Sequence, residues 1–384
     1  MNYLQYIGAA QNSKASCADL RMLVSGVDAL VREIVGRDIV SACYARGKTL
    51  FILDNTQEKV PLQGEMGGYQ ITDLLSGGVC LCPDLLEVAS LAGASRLRGI
   101  LASLGFQEMC AMKVVSYLSF VKETERRLGN QSPLTVDILD EYSSARLVEW
   151  KLRRLVEAGK MEQDNASYLL GKYAEVSGAA ADFDMMCTFL APFLCGAPPT
   201  RNMAIRIPMG DYTLDKPLQE VMSQMMLDYV RQNAASSAVL ILDDGRGGDR
   251  KFIIDVLKHL PAETVGYLFS NDALSFDDAG LSVVMNALPV RIFTRHEDMA
   301  SAEKIEARCG QIDVVRRTTS VTIDRRWRAN SAWDMLLGNN KTETETRNAP
   351  VKEYRFRKEL IHALPRGTGI IDCAGSQVLF TFQT

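Results

Sequence analysis

The segment Ala238-Val239-Leu240-Ile241-Leu242-Asp243-Asp244-Gly245 constrains the fold more than any other. Five apolar residues stand between the polar Ser236-Ser237 and the glycine-rich Gly245-Arg246-Gly247-Gly248. A run without polar alternation reads as a strand covered on both faces, and so as part of a parallel sheet with helices on either side. Asp243 and Asp244 then stand at the C-terminal end of that strand, the edge at which open α/β sheets place ligands.

A possible partner for those carboxylates lies near the N-terminus. Ile7 to Ser16 has the spacing of the phosphate-binding loop G-x-x-x-x-G-K-[ST], with Gly8 first, Ser13 for the second glycine, Lys14 retained and Ala15 for the hydroxyl residue. Tyr3–Ile7 reads as the strand before the loop, and Leu20, Leu23, Val24, Val27, Leu30, Val31 and Ile34 as the helix after it. On this reading Lys14 meets the terminal phosphates of ATP, Asp243 holds Mg²⁺ and Asp244 positions water. The departures fall at the nucleotide. Ser13 brings a Cβ to a place of close phosphate approach, Ala15 offers no oxygen to the metal, and Ser16 lies one residue late. The alternative for residues 7–16 is an ordinary strand-to-helix turn. Gly47-Lys48-Thr49 resembles part of the same motif but runs into the apolar Leu50-Phe51-Ile52-Leu53, so it reads as a turn into a strand.

With Thr49–Glu58, with Ala204–Met209 and the helix after it, and with Phe356–Ile371 added, the order of segments resembles the TraG/TraD-type coupling ATPases of conjugation and type IV secretion, in the FtsK–HerA group of P-loop translocases. The resemblance implies an α/β fold: a mostly parallel P-loop NTPase-like sheet flanked by helices, residues 1–84 and 197–384, with an inserted all-helical subdomain at 85–196. It implies ATP and Mg²⁺ as cofactors. It also implies partners among DNA and other secretion or conjugation components, a homo-oligomeric ring and a cytoplasmic site of action. The family usually carries N-terminal membrane helices. Here Met1-Asn2-Tyr3 leads straight into the first expected strand with no basic n-region and apolar h-region, so no signal peptide is expected, and no run of about eighteen apolar residues exists.

The remaining features narrow the chemistry. A net charge of −4 and a pI near 5.6 exclude a globally basic nucleic-acid binder. Basic residues still gather between Arg316 and Lys358, among Trp327, Trp333 and Tyr354, and read either as a local phosphate-tracking patch or as salt-bridged strands. Arg295, Arg325 and Arg326 are candidates for an arginine finger acting across a subunit boundary. Nine cysteines and three histidines have no metal-ligand spacing and read as free thiols and isolated imidazoles. Two function classes follow, an ATP-driven motor or an assembly and adaptor subunit on the same fold, with an unrelated α/β protein as a third. The substitutions at Ser13, Ala15 and Asp244 lead us to expect little or no ATPase activity.

Overall fold

The computed structural model describes residues 2–12, 15–56, 68–76, 78–81, 86, 88, 90–130, 134–179, 197–209, 216–245, 250–323 and 342–383. They fall into two compact units, Met1–Thr294 with Arg366–Thr384, and Arg295–Pro365. In the first unit the chain order is α1 (Tyr3–Ala10), β1 (Met22–Ser25), α2 (Ala29–Ala45), β2 (Thr49–Asn55) and β3 (Gln70–Asp73). Helices follow, among them α3 (Leu91–Ser103), α4 (Glu108–Arg127), α5 (Val136–Asp140), α6 (Ala145–Glu157) and α7 (Gln163–Val176). Then come β4 (Met203–Pro208), α8 (Lys216–Gln232), β5 (Ser237–Asp243), α9 (Lys251–His259), β6 (Val265–Ser270), α10 (Asp278–Ala287) and β7 (Val290–Phe293). After the second unit the chain returns with β10 (Thr368–Cys373) and β11 (Ser376–Thr381).

These strands make one nine-stranded sheet in the order β11-β10-β7-β1-β6-β5-β2-β4-β3. It is mostly parallel; β10 runs against both of its neighbours, β7 and β11. Residues 238–241 of β5 are buried, as a strand covered on both faces requires. The strands read at 50–54, 203–207, 239–243, 265–269, 290–293 and 369–373 all stand in this sheet. Between β3 and β4 the described residues from Leu91 to Val176 form helices joined by turns, with no strand at 97–121, and Val79 pairs with Ala197 in an isolated parallel bridge. The helices meet around the buried Glu125, which accepts from Tyr142 Oη (2.7 Å), Lys151 Nζ (2.6 Å) and Asn130 Nδ2 (2.7 Å).

The N-terminal expectation requires correction. Tyr3–Ala10 is a helix, not a strand, and Ile7 belongs to no sheet. A capping box starts it: Asn2 Oδ1 accepts from the Leu4 amide at 2.8 Å, and the Asn2 amide donates to Gln5 Oε1 at 3.0 Å. Tyr3 and Ile7, four residues apart, then bury one face against the core. The helix expected from Leu20 is also divided. Met22–Ser25 is a fully buried strand, and Gly26, at φ 120°, breaks the chain before α2 begins at Ala29.

The core beneath α1 carries buried phenols and thiols. Tyr3 Oη donates to Asp38 at 3.0 Å, Tyr267 Oη donates to the Cys17 carbonyl, and Cys43 Sγ lies 3.5 Å from Tyr267 Oη. Burial, the largest cause, pushes the Cys17 thiol from 9.0 up to about 11, and raises Tyr3 and Tyr267 as well. An acid whose pKa is higher in the folded than in the unfolded chain supports folding fully below its unfolded value. That support is lost as pH rises towards the folded value. Stability should therefore fall from about pH 9 through 11, and Cys17→Ala should flatten the fall; denaturant midpoints across this range that stay level would refute it.

The second unit holds α11 (Met299–Cys309), the antiparallel pair β8 (Gln311–Ile323) and β9 (Thr342–Tyr354), and α12 (Lys358–His362). Glu306 caps α12, accepting from the Lys358 amide at 2.9 Å. The Arg325–Arg328 cluster, Trp327 and Trp333 lie outside the described residues.

Candidate functional site

The two acidic residues stand where the sequence places them. Asp243 is the last residue of β5 and Asp244 follows it, at the C-terminal edge of the sheet. This edge is a switch point: the chain leaves β1 for β2 on one side and leaves β6 for β7 on the other. Asp243 is 1% exposed and its carboxylate is fully engaged. Oδ2 accepts from Arg250 Nη2 (2.6 Å) and Ser270 Oγ (2.7 Å), and Oδ1 from Asn55 Nδ2 (3.1 Å) and the Gly245 amide (3.3 Å). Arg250, just before α9, also donates to Ser275 Oγ and to the Asp272 carbonyl, and its guanidinium lies 3.7 Å from the Phe276 ring centroid. The cation beside Asp243 is thus a side chain of the protein itself. Asp244 lies a step outward, its carbonyl accepting from Asn271 Nδ2 at 2.8 Å.

The turn that faces Asp243 is Ser25–Asp28, between β1 and α2. The Gly26 amide donates to the Ser270 carbonyl at 3.0 Å, and Ser270 Oγ in turn bonds Asp243. Only Gly26, Val27 and Asp28 separate the strand from the helix, and α2 opens with Ala29, Leu30 and Val31. A phosphate cradle of the G-x-x-x-x-G-K-[ST] type needs a longer ring of amides, a lysine and a hydroxyl at the start of its helix. None of these is present in this turn. Its polar groups are committed elsewhere: the Asp28 amide donates to Thr294 Oγ1 (3.4 Å), and the Ser25 carbonyl accepts from the Thr294 amide (2.8 Å). Asp28 itself, 7% exposed, caps α2 by accepting from the Val31 amide at 3.1 Å, and its other oxygen accepts from the Gly367 amide at 2.7 Å. A carboxylate of the chain thereby fills the place at the helix N-terminus where an external anion would bind. Gly367, at φ 76°, is the residue that lets the β10 approach turn its amide there.

One turn into α2, Arg32 extends towards the same acids. Burial, outweighing the opposing pull of Asp243 and Asp244, lowers its guanidinium to about 10. Its Nε and Nη2 are buried and have no hydrogen-bond partner among the described residues.

The N-terminal loop lies elsewhere. Gly8 is inside α1 and buried, Ser13 and Lys14 lie outside the described residues, and Ser16 Oγ accepts from the Ala18 amide in a short 3₁₀ turn. Ala15 and Ser16 lead through Leu20 into the N-terminal end of β1. There Arg21, Lys48, Val265 and Val290, at the starts of four parallel strands, line with Ala18 one cavity of about 390 Å³. Asp243 stands at the other edge. Ala15 and Ser16 thus stand at the opposite edge of the sheet from Asp243, and the expected meeting of Lys14 with Asp243 falls outside the described residues. Gly47-Lys48-Thr49 is the expected turn, with Gly47 at φ 65° and Lys48 Nζ donating to the Ala235 carbonyl at 3.0 Å. What the sequence reading missed, Asp28, Arg32 and Arg250, had a local signal in the first case: Gly26 followed by an aspartate three residues before an apolar helical face. Among the described residues no group of three His, Cys, Asp or Glu is placed to hold a metal ion.

No protein-family model and no curated protein sequence matches the chain. Solved structures do. The bacterial conjugative coupling protein TrwBΔN70, unbound, aligns over 96% of this chain and 85% of its own, with a TM-score of 0.47 and 13% identity. The plasmid coupling protein TrwB in complex with a non-hydrolysable ATP analogue aligns over 96% and 86%, with a TM-score of 0.48 and 12% identity. VirB4 of Thermoanaerobacter pseudethanolicus aligns over 95% and 89%, with a TM-score of 0.49 and 10% identity.

Proposed function

We propose that this chain is a nucleotide-independent subunit on the coupling-protein fold, serving assembly or adaptor work in conjugative DNA transfer or type IV secretion. The observation that carries this reading is the Ser25–Asp28 turn. It is short, its hydrogen bonds are spent within the sheet, and its own carboxylate occupies the helix N-terminus. ATP and Mg²⁺ do not fit there. An incoming phosphate would meet Asp28 as a like charge, and Mg²⁺ would have to displace Arg250 from a buried carboxylate. TrwB has been solved with ATP and GTP analogues and with ADP and Mg²⁺; we read this chain's Asp28 and Arg250 as taking up the places such ligands would need here.

On this reading the chain acts on the cytoplasmic side of the machine, and none of its described helices is long and apolar enough to cross a membrane. The segment 85–196 serves as a partner-binding part, and DNA and other machine components are its partners. A homo-oligomeric ring, as the resemblance implies, would then be a scaffold rather than a motor.

The test is binding of a fluorescent ATP analogue with Mg²⁺, and hydrolysis with and without single-stranded DNA. No saturable binding up to about 1 mM is expected, and no turnover above that of a Lys14→Ala variant. Micromolar binding that disappears in Lys14→Ala would overturn the proposal and return nucleotide chemistry to residues 8–16.

A further inference from the structure

The β11 edge of the sheet is built to take another strand. β11 is last in the strand order, and on its outer side no strand pairs with it among the described residues. Its register fixes which backbone groups face outward. The Phe382 amide donates to the Gly367 carbonyl at 2.7 Å, so Phe382, and with it Phe380, Val378 and Ser376, turn their amides and carbonyls towards β10. Gln377, Leu379 and Thr381 turn theirs the opposite way. The side chains divide likewise. Val378 and Phe380 pack against the core, Phe380 and Phe382 with ring centroids 5.2 Å apart, whereas Leu379 on the other face is 43% exposed.

Sheet proteins protect such an edge with lysine, proline, inward charges or a bulge. None is present. From Ala374 to Gln383 there is no charged residue and no proline, in a chain of which 23% is charged. The opposite edge, β3, has only four residues and ends in Asp73.

We infer that β11 pairs with β11 of a second copy of this chain, antiparallel and centred on Leu379. The occupant follows from the strand's own pattern. With Leu379 opposite its counterpart, Gln377 faces Thr381 and Val378 faces Phe380, so polar meets polar and apolar meets apolar on both faces, and no like charges oppose each other. The outward amides and carbonyls of Leu379 and Thr381 meet their complements in this register. The two-fold arrangement closes on itself and gives a dimer, unlike the head-to-tail contact of a ring. A six-residue strand pair buries little area, so the affinity belongs at the weak end of specific association.

The experiment is sedimentation equilibrium of the full chain with Leu379→Pro and Leu379→Lys, beside hydrogen exchange of the unmodified protein. Leu379 turns its amide away from β10, so proline there removes an outward donor and leaves the β10–β11 pairing intact. The unmodified chain should dimerise with a Kd on the order of 10 µM, and both variants should weaken this by about tenfold or more at unchanged circular dichroism. Exchange at Leu379 and Thr381 should slow as protein concentration rises. A chain that stays monomeric at about 1 mM, a dimer indifferent to both variants, or exchange independent of concentration would each overturn the inference. The exchange measurement decides the matter even if a variant fails to fold.

Discussion

Arg250→Ala should destabilise the protein by about 3–5 kcal/mol, because it leaves the Asp243 carboxylate charged, buried and without its counter-ion. Arg250 and Asp243 have side-chain exposures of 14% and 0%, at 2.6 Å, so little solvent screens the pair or replaces the lost partner. Three other donors remain on Asp243, Ser270 Oγ, Asn55 Nδ2 and the Gly245 amide, and they keep the cost below that of an isolated buried charge. The loss has a second part: the guanidinium also ties the end of β6 through the Asp272 carbonyl and packs on Phe276, and alanine restores neither contact. Asp243→Asn removes the charge and keeps the shape. Adding Arg250→Ala on that background should therefore cost much less than on the native one, a coupling read by chemical denaturation of the four proteins of the cycle. Additive losses, or a loss under about 1 kcal/mol for Arg250→Ala alone, would mean that the pair is an incidental contact.

The parts of this fold that sequence revealed are those that a single physical signal determines. β5 and β6 are apolar runs of strand length flanked by polar or glycine residues, and they fall where expected. The helices between β3 and β4 have the period of an amphipathic face over several turns. The errors came where two signals compete. In the first ten residues, Tyr3-Leu4-Gln5-Tyr6-Ile7 has strand-forming composition, but the Asn2–Gln5 box and the four-residue spacing of Tyr3 and Ile7 decide for a helix. At Leu20–Ile34 the apolar spacing fits a helix, but a four-residue strand buried on both faces carries no period of its own; Gly26 and the cap at Asp28 were the better markers. The site was half legible. Asp243 is local to a strand end, so its position could be read. Its partners Arg250, Ser270 and Asn55 come from three other segments, and only the sheet order brings them together. The spacing of residues 8–16 matched a motif whose structural setting, a strand before and a helix after, is absent there.

Asp28→Gly should open the anion place that the native carboxylate occupies, and this tests the proposal that the Ser25–Asp28 turn is closed to phosphate. The substitution removes the α2 cap and leaves the Gly367 amide without its acceptor. A lost cap replaced by glycine costs a few tenths of a kcal/mol, and a stranded buried donor about 1–3 kcal/mol, so the variant should be destabilised mainly through Gly367. Its helix N-terminus then presents the Val31 amide and the positive end of the dipole to solvent, the setting in which inorganic phosphate binds. For a site with a Kd on the order of 10 mM, about 100 mM phosphate would return about 1.4 kcal/mol to the variant. The native protein, with the same place filled by Asp28, should gain only the general effect of the salt. The comparison is of denaturation midpoints in phosphate and in chloride at matched ionic strength, for both proteins. A phosphate effect of the same size in each would show that Asp28 does not substitute for an anion. A selective effect in Asp28→Gly would mean that this sheet retains the geometry of a phosphate site at β1–α2 and closes it with one carboxylate.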